Sequence, residues 1–545
     1  MKKFLSMAAL ALVGAVMTGC SSDDDSIISN PQQPENKSNV VTLTTTVGFD
    51  ACAGTRALTI DGTKGVKTFA ENDQIAVIYK NTSNETVKAV SEKLTDGDLI
   101  NGGESANFTV TLENPAKDAA IRYIYPASMA KATVATDATI DDAGTVDFTN
   151  LNSQDGTLGT LGSTYDLCTF DAATWGGDNL PTGELKNQLA ILAITLKDGK
   201  CTTGTGDDVN VTSNITGLTV SDGTNTYTVS RSTGAGPIYV AILPTSSVGI
   251  DVTATDGTNN YVKYLTSKTY EKNNGYNVSW LMTIPGDFTV GSKKVEFATS
   301  NLQATYDGSS WSWASAANPW DRIGDAAGNN KIQAIGVSEN NVTVDLFGWV
   351  GASSSFTDEA QYGITSATSG YGSNATEALK YDWGTFIVGG WRTPTKDEWT
   401  YVFSTRKSGS LVNGTSDASY THATINTDAT GVNGMILFPD GVKIASDEVT
   451  TWGTINGTSA WGTKCTSAQW TALAAKGCVF LPVAGYRSGA EVINVNDGGY
   501  YWSSSPDPSS ANQAYTMYFK SETLGTASPD GRKFGLSVRL VKDAE

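Results

Sequence analysis

The sequence predicts a mainly β chain: three β-rich blocks in series, the second a β-sandwich and the third carrying short helices. Three observations carry this. Apolar residues alternate with smaller ones over short runs, as at Val41, Leu43, Thr45, Val47 and Phe49, and a period of two marks a half-buried strand. Turn signals such as Asp61-Gly62 and Asn101-Gly102-Gly103 separate the runs. Charged residues make up only 17% of the 545 residues, below the ~25% of ordinary domains. Thr, Ser, Asn and Gly fill the difference, as strands and turns require.

The elements follow in order from the N-terminus. Lys2 and Lys3 precede an apolar run from Phe4 to Val16, too short for a usual membrane span. Met17-Thr18-Gly19-Cys20 follows and resembles a bacterial lipobox, with Met where Leu is usual. The resemblance implies a signal peptide over 1–20, acylation of Cys20 and attachment to the outer membrane through lipid. An ordinary signal peptide with an incidental cysteine is the alternative. Ser21-Ser22-Asp23-Asp24-Asp25 resembles the surface-export signal of Bacteroides-type lipoproteins, and is otherwise a solvated spacer. Residues 21–40, with Pro31 and Pro34, form a linker.

A first block over 41–170 holds strand patterns at Val41–Phe49, Ile75–Tyr79, Phe108–Leu112 and Ile121–Tyr125. A second, over 171–285, centres on Leu189–Leu196, which is apolar on both faces as a central strand must be. Ile238–Leu243, Tyr261–Leu265 and Tyr276–Met282 continue it, and such short, regularly punctuated strands argue for a β-sandwich. The third block, 286–545, is dense in tryptophan. Thr395-Lys396-Asp397-Glu398 and Thr466-Ser467-Ala468-Gln469 are capping boxes that open helices, and Gly477 stops the second.

Composition narrows the chemistry. The net charge of −19 disfavours nucleic acid, which needs clustered cations. The single histidine, His422, leaves one base for any Ser-His-Asp triad and no His-rich metal site. Besides Cys20, five cysteines remain (Cys52, Cys168, Cys201, Cys465 and Cys478), with no CxxC. A disulfide framework is excluded; Cys465 and Cys478 are either one pair or two small core residues.

Gly54-Thr55-Arg56-Ala57, Phe69, Asp73-Gln74-Ile75-Ala76-Val77, Tyr123-Ile124-Tyr125-Pro126, Leu185-Lys186-Asn187-Gln188-Leu189-Ala190 and Asn274-Gly275-Tyr276, behind the lipobox, resemble a Bacteroides-type fimbrillin (Mfa-like) over roughly 41–284. That resemblance implies two transthyretin-like β-sandwich subdomains. It also implies proteolytic processing between Arg56 and Ala57, with other fimbrillin subunits as partners by donor-strand exchange. Val344-Asp345-Leu346-Phe347-Gly348-Trp349, the run from Gly390 to Trp399, Gly431-Val432-Asn433-Gly434, the run from Phe480 to Arg487, Tyr500-Tyr501-Trp502-Ser503-Ser504 and Ser537-Val538-Arg539-Leu540-Val541 resemble a FISUMP (Fibrobacter succinogenes major paralogous) domain over about 290–545. This second resemblance implies a C-type-lectin-like α+β fold and brings no ligand with it.

The third block holds the candidate ligand residues: Trp311, Trp313, Trp320, Asn494, Asn496, Asp497 and Tyr500. Aromatic faces and polar groups together suit a sugar. Asn496-Asp497 is also similar to a Ca²⁺-holding pair of sugar-binding C-type lectins, but the Glu-Pro-Asn word that accompanies it there is missing; an ordinary turn is the other reading. Otherwise no cofactor and no enzyme activity are expected. Trp391, Trp399 and Trp502 read as core. Arg392, Arg487 and Arg539 read as bonded to internal turns, with anion binding as the alternative. The expectation is a surface-exposed pilus subunit, a tip adhesin of a fimbrium whose last block recognises a glycan or matrix ligand. A standalone glycan-binding lipoprotein for nutrient capture is the second reading.

Overall fold

The computed structural model describes residues 39–49, 68–165, 167–198, 209–323, 342–349, 382–426, 431–489 and 491–544. Cys20, Arg56 and Ala57 lie outside them. The described chain is mainly β, as the sequence predicts.

The first strands are β1 (Val40–Phe49), β2 (Ala76–Lys80), β3 (Thr86–Val90), β4 (Leu99–Ile100), β5 (Ser105–Glu113), β6 (Ala119–Tyr125), β7 (Ser153–Gln154), β8 (Cys168–Trp175) and β9 (Gly183–Asn187). All but β7 form one eight-stranded sheet in the order β3-β2-β6-β8-β9-β1-β5-β4. Its two halves enclose a core that includes Val47, Phe49, Phe69, Phe108, Val110 and Tyr125. The Phe49 and Phe69 rings stack at 4.2 Å. The alternation read in β1 is realised on both faces: Val47 and Phe49 point inward, while Thr42 and Thr44 pair outward with Thr111 and Thr109 at 3.0 and 3.2 Å. Such cross-strand pairs stabilise a sheet by ~0.2–1 kcal/mol each.

Next come β10 (Ala190–Asp198), β11 (Val209–Asn210), β12 (Gly217–Ser221), β13 (Thr226–Ser230), β14 (Ile238–Ile242), β15 (Thr245–Thr255), β16 (Asn260–Tyr270) and β17 (Asn274–Met282). The doubly apolar β10 is central, antiparallel to β14 on one side and parallel to β17 on the other. Facing it is a sheet ordered β16-β15-β12-β13-β7. The two share a core with Ile191, Ile194, Val220, Ile250 and Met282.

Strand pairing does not change hands at residue 170. β8 and β9 carry the first sheet to Asn187, while β7, from the segment between β6 and β8, belongs to the second. β7 joins by parallel pairing with β13, Thr228↔Ser153 and Val229↔Gln154. The buried Gln154 carboxamide also reaches across to β14 of the facing sheet: it donates to the Leu151 and Ala241 carbonyls and accepts the Ala241 amide, all at 2.8–2.9 Å, so an interior polar group is fully used.

After Met282 the chain enters a block of smaller sheets. Its first strands, Phe288–Val290 and Lys293–Phe297, pair with each other and then with Val541–Asp543, so the block closes on its own end. Both capping boxes form, opening helices Lys396–Thr400 and Ser467–Ala475. Gly477 takes a φ of 85° just past the second, where a side chain would be strained. Trp399 and Trp502 are buried, as read. Trp391 is only half-buried, with the Lys542 ammonium 5.0 Å from its ring.

The junction with β17 is tightly tied. Asp440, 1% exposed, accepts from Arg406 Nη1 at 2.9 Å and from the Thr289 amide at 3.0 Å. Its main chain exchanges hydrogen bonds with Gly286 and Asp287. Tyr264 of β16 donates to the Gly441 carbonyl at 3.1 Å, and Asp251 of β15 pairs with Lys443.

Candidate functional site

β1 is an interior strand of its sheet, although it comes first in the described chain. It pairs with β5 from Val40↔Glu113 to Gly48↔Ser105, and in parallel with β9 from Val47↔Gly183 to Phe49↔Leu185. Removing it would expose two facing edges and the seat of Val47 and Phe49. Unpaired edges and apolar slots of this kind accept an added strand.

The candidate ligand residues divide. Trp311 and Trp313 lie two apart on the strand Trp311–Ser315, opposite Tyr306 and Ala304, and so share a face. Both are half-buried. Trp311 leans on Tyr306 at 5.3 Å, and Trp313 stacks on Phe347 at 5.5 Å. They pack against the cluster that contains Tyr500 and Trp502. Trp320 packs against a different cluster, with Trp470 and Cys465.

Asn494, Asn496 and Asp497 form the turn before the strand Gly498–Pro506. Asn494 and Asn496 take φ values of 60° and 63°, a region asparagine tolerates better than most residues. Asn496 Oδ1 accepts the Asn433 amide at 3.1 Å, and Asn494 Nδ2 donates to the Tyr500 hydroxyl at 2.9 Å. Asn496 is thus engaged in holding the turn. Among the described residues, no three His, Cys, Asp or Glu side chains are grouped to hold a metal ion.

Sequence reasoning missed the aromatic company of Tyr500. Tyr486 meets it edge-on at 4.9 Å and Tyr518 stacks on it at 6.1 Å, while Phe534 meets Tyr486 at 5.8 Å. Tyr486, Tyr518 and Phe534 are half-buried, so the cluster presents ring surface outward beside Asn494. The register Tyr500↔Tyr518 creates the pair, and no local pattern announces that register.

Groups that could do covalent chemistry are packed away. His422 is buried between Trp461, at 5.3 Å, and Phe519, at 5.8 Å; burial lowers its pKa and favours the neutral ring. Cys168, Cys465 and Cys478 are buried. Burial pushes Cys465 up to about 12 and Cys478 upward as well, which makes them poor nucleophiles.

These features define a mainly β surface of tandem sheets followed by an aromatic-faced block. No family model and no curated protein matches the chain. Solved structures similar to it include a fimbrial assembly protein from Parabacteroides distasonis, 13% identical, over 45% of this chain and 91% of that one, with a TM-score of 0.26. Another is a fimbrial protein from Bacteroides ovatus, 11% identical, over 93% of this chain and 99% of that one, with a TM-score of 0.22.

Proposed function

We propose that this chain is a cell-surface pilus subunit, anchored through Cys20 before assembly, whose 286–545 block ends the polymer and recognises a glycan or matrix ligand. The observation that carries the reading is the seat of β1. A strand bonded on both edges and followed closely by Arg56-Ala57 can be released by one cut, and its slot then takes a strand from a neighbouring subunit. β17 cannot return that service, because its end runs directly into the third block. A subunit that accepts but does not donate belongs at a terminus. Tyr486, Tyr518, Phe534 and Asn494 supply the stacking surface and polar rim that a sugar needs.

Assembled fibres are expected to begin at Ala57 by N-terminal sequencing, with antibody against 286–545 labelling only fibre ends. Fibre protein that still starts at Cys20, or label along the shaft, would overturn the reading. The second reading, a standalone glycan-binding lipoprotein, is favoured by the aromatic face together with a β1 that never leaves its sheet. Glycan binding by a cell-surface protein with intact 21–56 is its signature.

A further inference from the structure

Three arginines of the third block read alike in sequence, and the structure separates them. Arg392 makes a two-pronged pair with Glu398, both bonds at 2.7 Å. Arg539, fully buried, donates to Asn301 Oδ1 and to the Ala298 and Phe480 carbonyls at 2.7–3.0 Å. Arg487 is 0% exposed, yet among the described residues its Nε, Nη1 and Nη2 have no hydrogen-bond partner. Such a group costs several kcal/mol if left alone.

Its surroundings say what would satisfy it. Arg487 and Gly535 exchange both main-chain hydrogen bonds, at 2.8 and 3.0 Å, so their side-chain positions share a face. Ser537, two residues on, lies on that same face. Its hydroxyl is also buried and unpartnered. Asp345 is fully buried and its charge acts on Arg487, but no hydrogen bond joins them; its Oδ2 accepts the Ile323 amide at 2.7 Å. Asp345 and Arg539 both act on Tyr501, and Tyr501 is bridged to Ser537, so a second guanidinium stands close to the same site. An anion would accept from these donors and match their positive charge.

We propose that Arg487 and Ser537 form an enclosed site for a small monovalent anion of halide size, which accepts from the guanidinium N–H groups and the serine O–H. The test uses the full chain. Thermal unfolding is followed in sodium chloride, sodium bromide and sodium methanesulfonate at matched ionic strength. The midpoint should rise with the logarithm of halide concentration, as for any ligand of the folded state, and stay lower in methanesulfonate. Arg487→Met should abolish the halide dependence. Ser537→Ala, a smaller change, should reduce it, and covers the case in which the arginine variant does not fold. Crystals grown in bromide should show an anomalous peak within hydrogen-bonding reach of Arg487 and Ser537. Equal midpoints in all three salts, a halide dependence that survives Ser537→Ala or Arg487→Met unchanged, or water without anomalous signal at that position would each overturn the proposal.

Discussion

Asp440→Asn is the most informative single change at the junction. Asp440 holds the third block to its own beginning: it faces Arg406 at 2.9 Å, receives the Thr289 amide and hydroxyl at 3.0 and 2.5 Å, and has Lys294 at 3.5 Å. Arg406 has no exposed side-chain surface and lies 4.9 Å from the Phe288 ring centre. An asparagine there loses the charge that neutralises Arg406 and must turn its NH₂ either toward Arg406 or toward the Thr289 amide and hydroxyl. Removing one partner of a buried pair costs about 3–5 kcal/mol. For a block of this size each kcal/mol moves the midpoint by about 2–4 °C, so a fall of about 6–20 °C is expected. Tryptophan fluorescence reads the right block, because only Trp175 and Trp280 of the 13 tryptophans precede it. Replacing both members, Arg406→Met with Asp440→Leu, removes the stranded charge and should restore part of the loss. A shift below about 2 °C for Asp440→Asn, or a double variant worse than both singles, would refute the argument that an enclosed charge pair ties the junction.

Three further outcomes are expected. Burial pushes the Glu398 carboxyl up, but hydrogen bonds from Arg392 and the Thr395 amide outweigh it and hold it below its ordinary value; its stabilisation is therefore present above the ordinary glutamate range and lost as pH falls below it, and Glu398→Gln should flatten that acid limb in pH-resolved melts. Thr395→Ala, which removes only the cap to the Glu398 amide, should cost about 1 kcal/mol in urea titrations and leave the acid limb in place. Cys465 and Cys478 should resist maleimide in the native protein and react once unfolded, with peptide mapping by mass spectrometry as the readout; native labelling at either would contradict their burial.

Much of the architecture was legible because it is local. Val47 and Phe49 alternate with Thr42, Thr44 and Thr46, so one face of β1 had to go inward. The unbroken apolar run of β10 demanded neighbours on both faces. The capping boxes at Thr395 and Thr466 need only four residues each. What stayed hidden depends on partners distant in sequence. That β7 joins the sheet of β13 rests on Ser153 and Gln154 pairing with Thr228 and Val229, some 75 positions away. The aromatic face around Tyr500 rests on its register with Tyr518, and Trp320 separates from Trp311 and Trp313 because it packs against the cluster that holds Trp470 and Cys465 instead. Arg539 and Arg487 are the sharpest case: Arg539 is satisfied by Asn301 and two carbonyls, and Arg487 by nothing among the described residues.

The same contrast bears on how the third block would work at the end of a pilus, the role proposed above. A recognition surface under tension must not unfold before its ligand lets go. In this chain the third block begins and ends in one small sheet, since Phe297 pairs with Val541 and Val295 with Asp543. β17 runs into Gly286 and Asp287, whose main chains are bonded to Asp440, and Asp440 is bonded in turn to Arg406 and Thr289, away from the aromatic face. The two faces of β1 follow the complementary logic. Its bonds to β5 and β9 are mostly main-chain ladders that any strand of suitable register can remake, while Val47, Phe49 and the buried Thr45, which donates to the Pro181 carbonyl at 2.7 Å, demand particular side chains in exchange. On the function proposed above, the chain would trade its first strand for a neighbour's while its last block stays tied to β17.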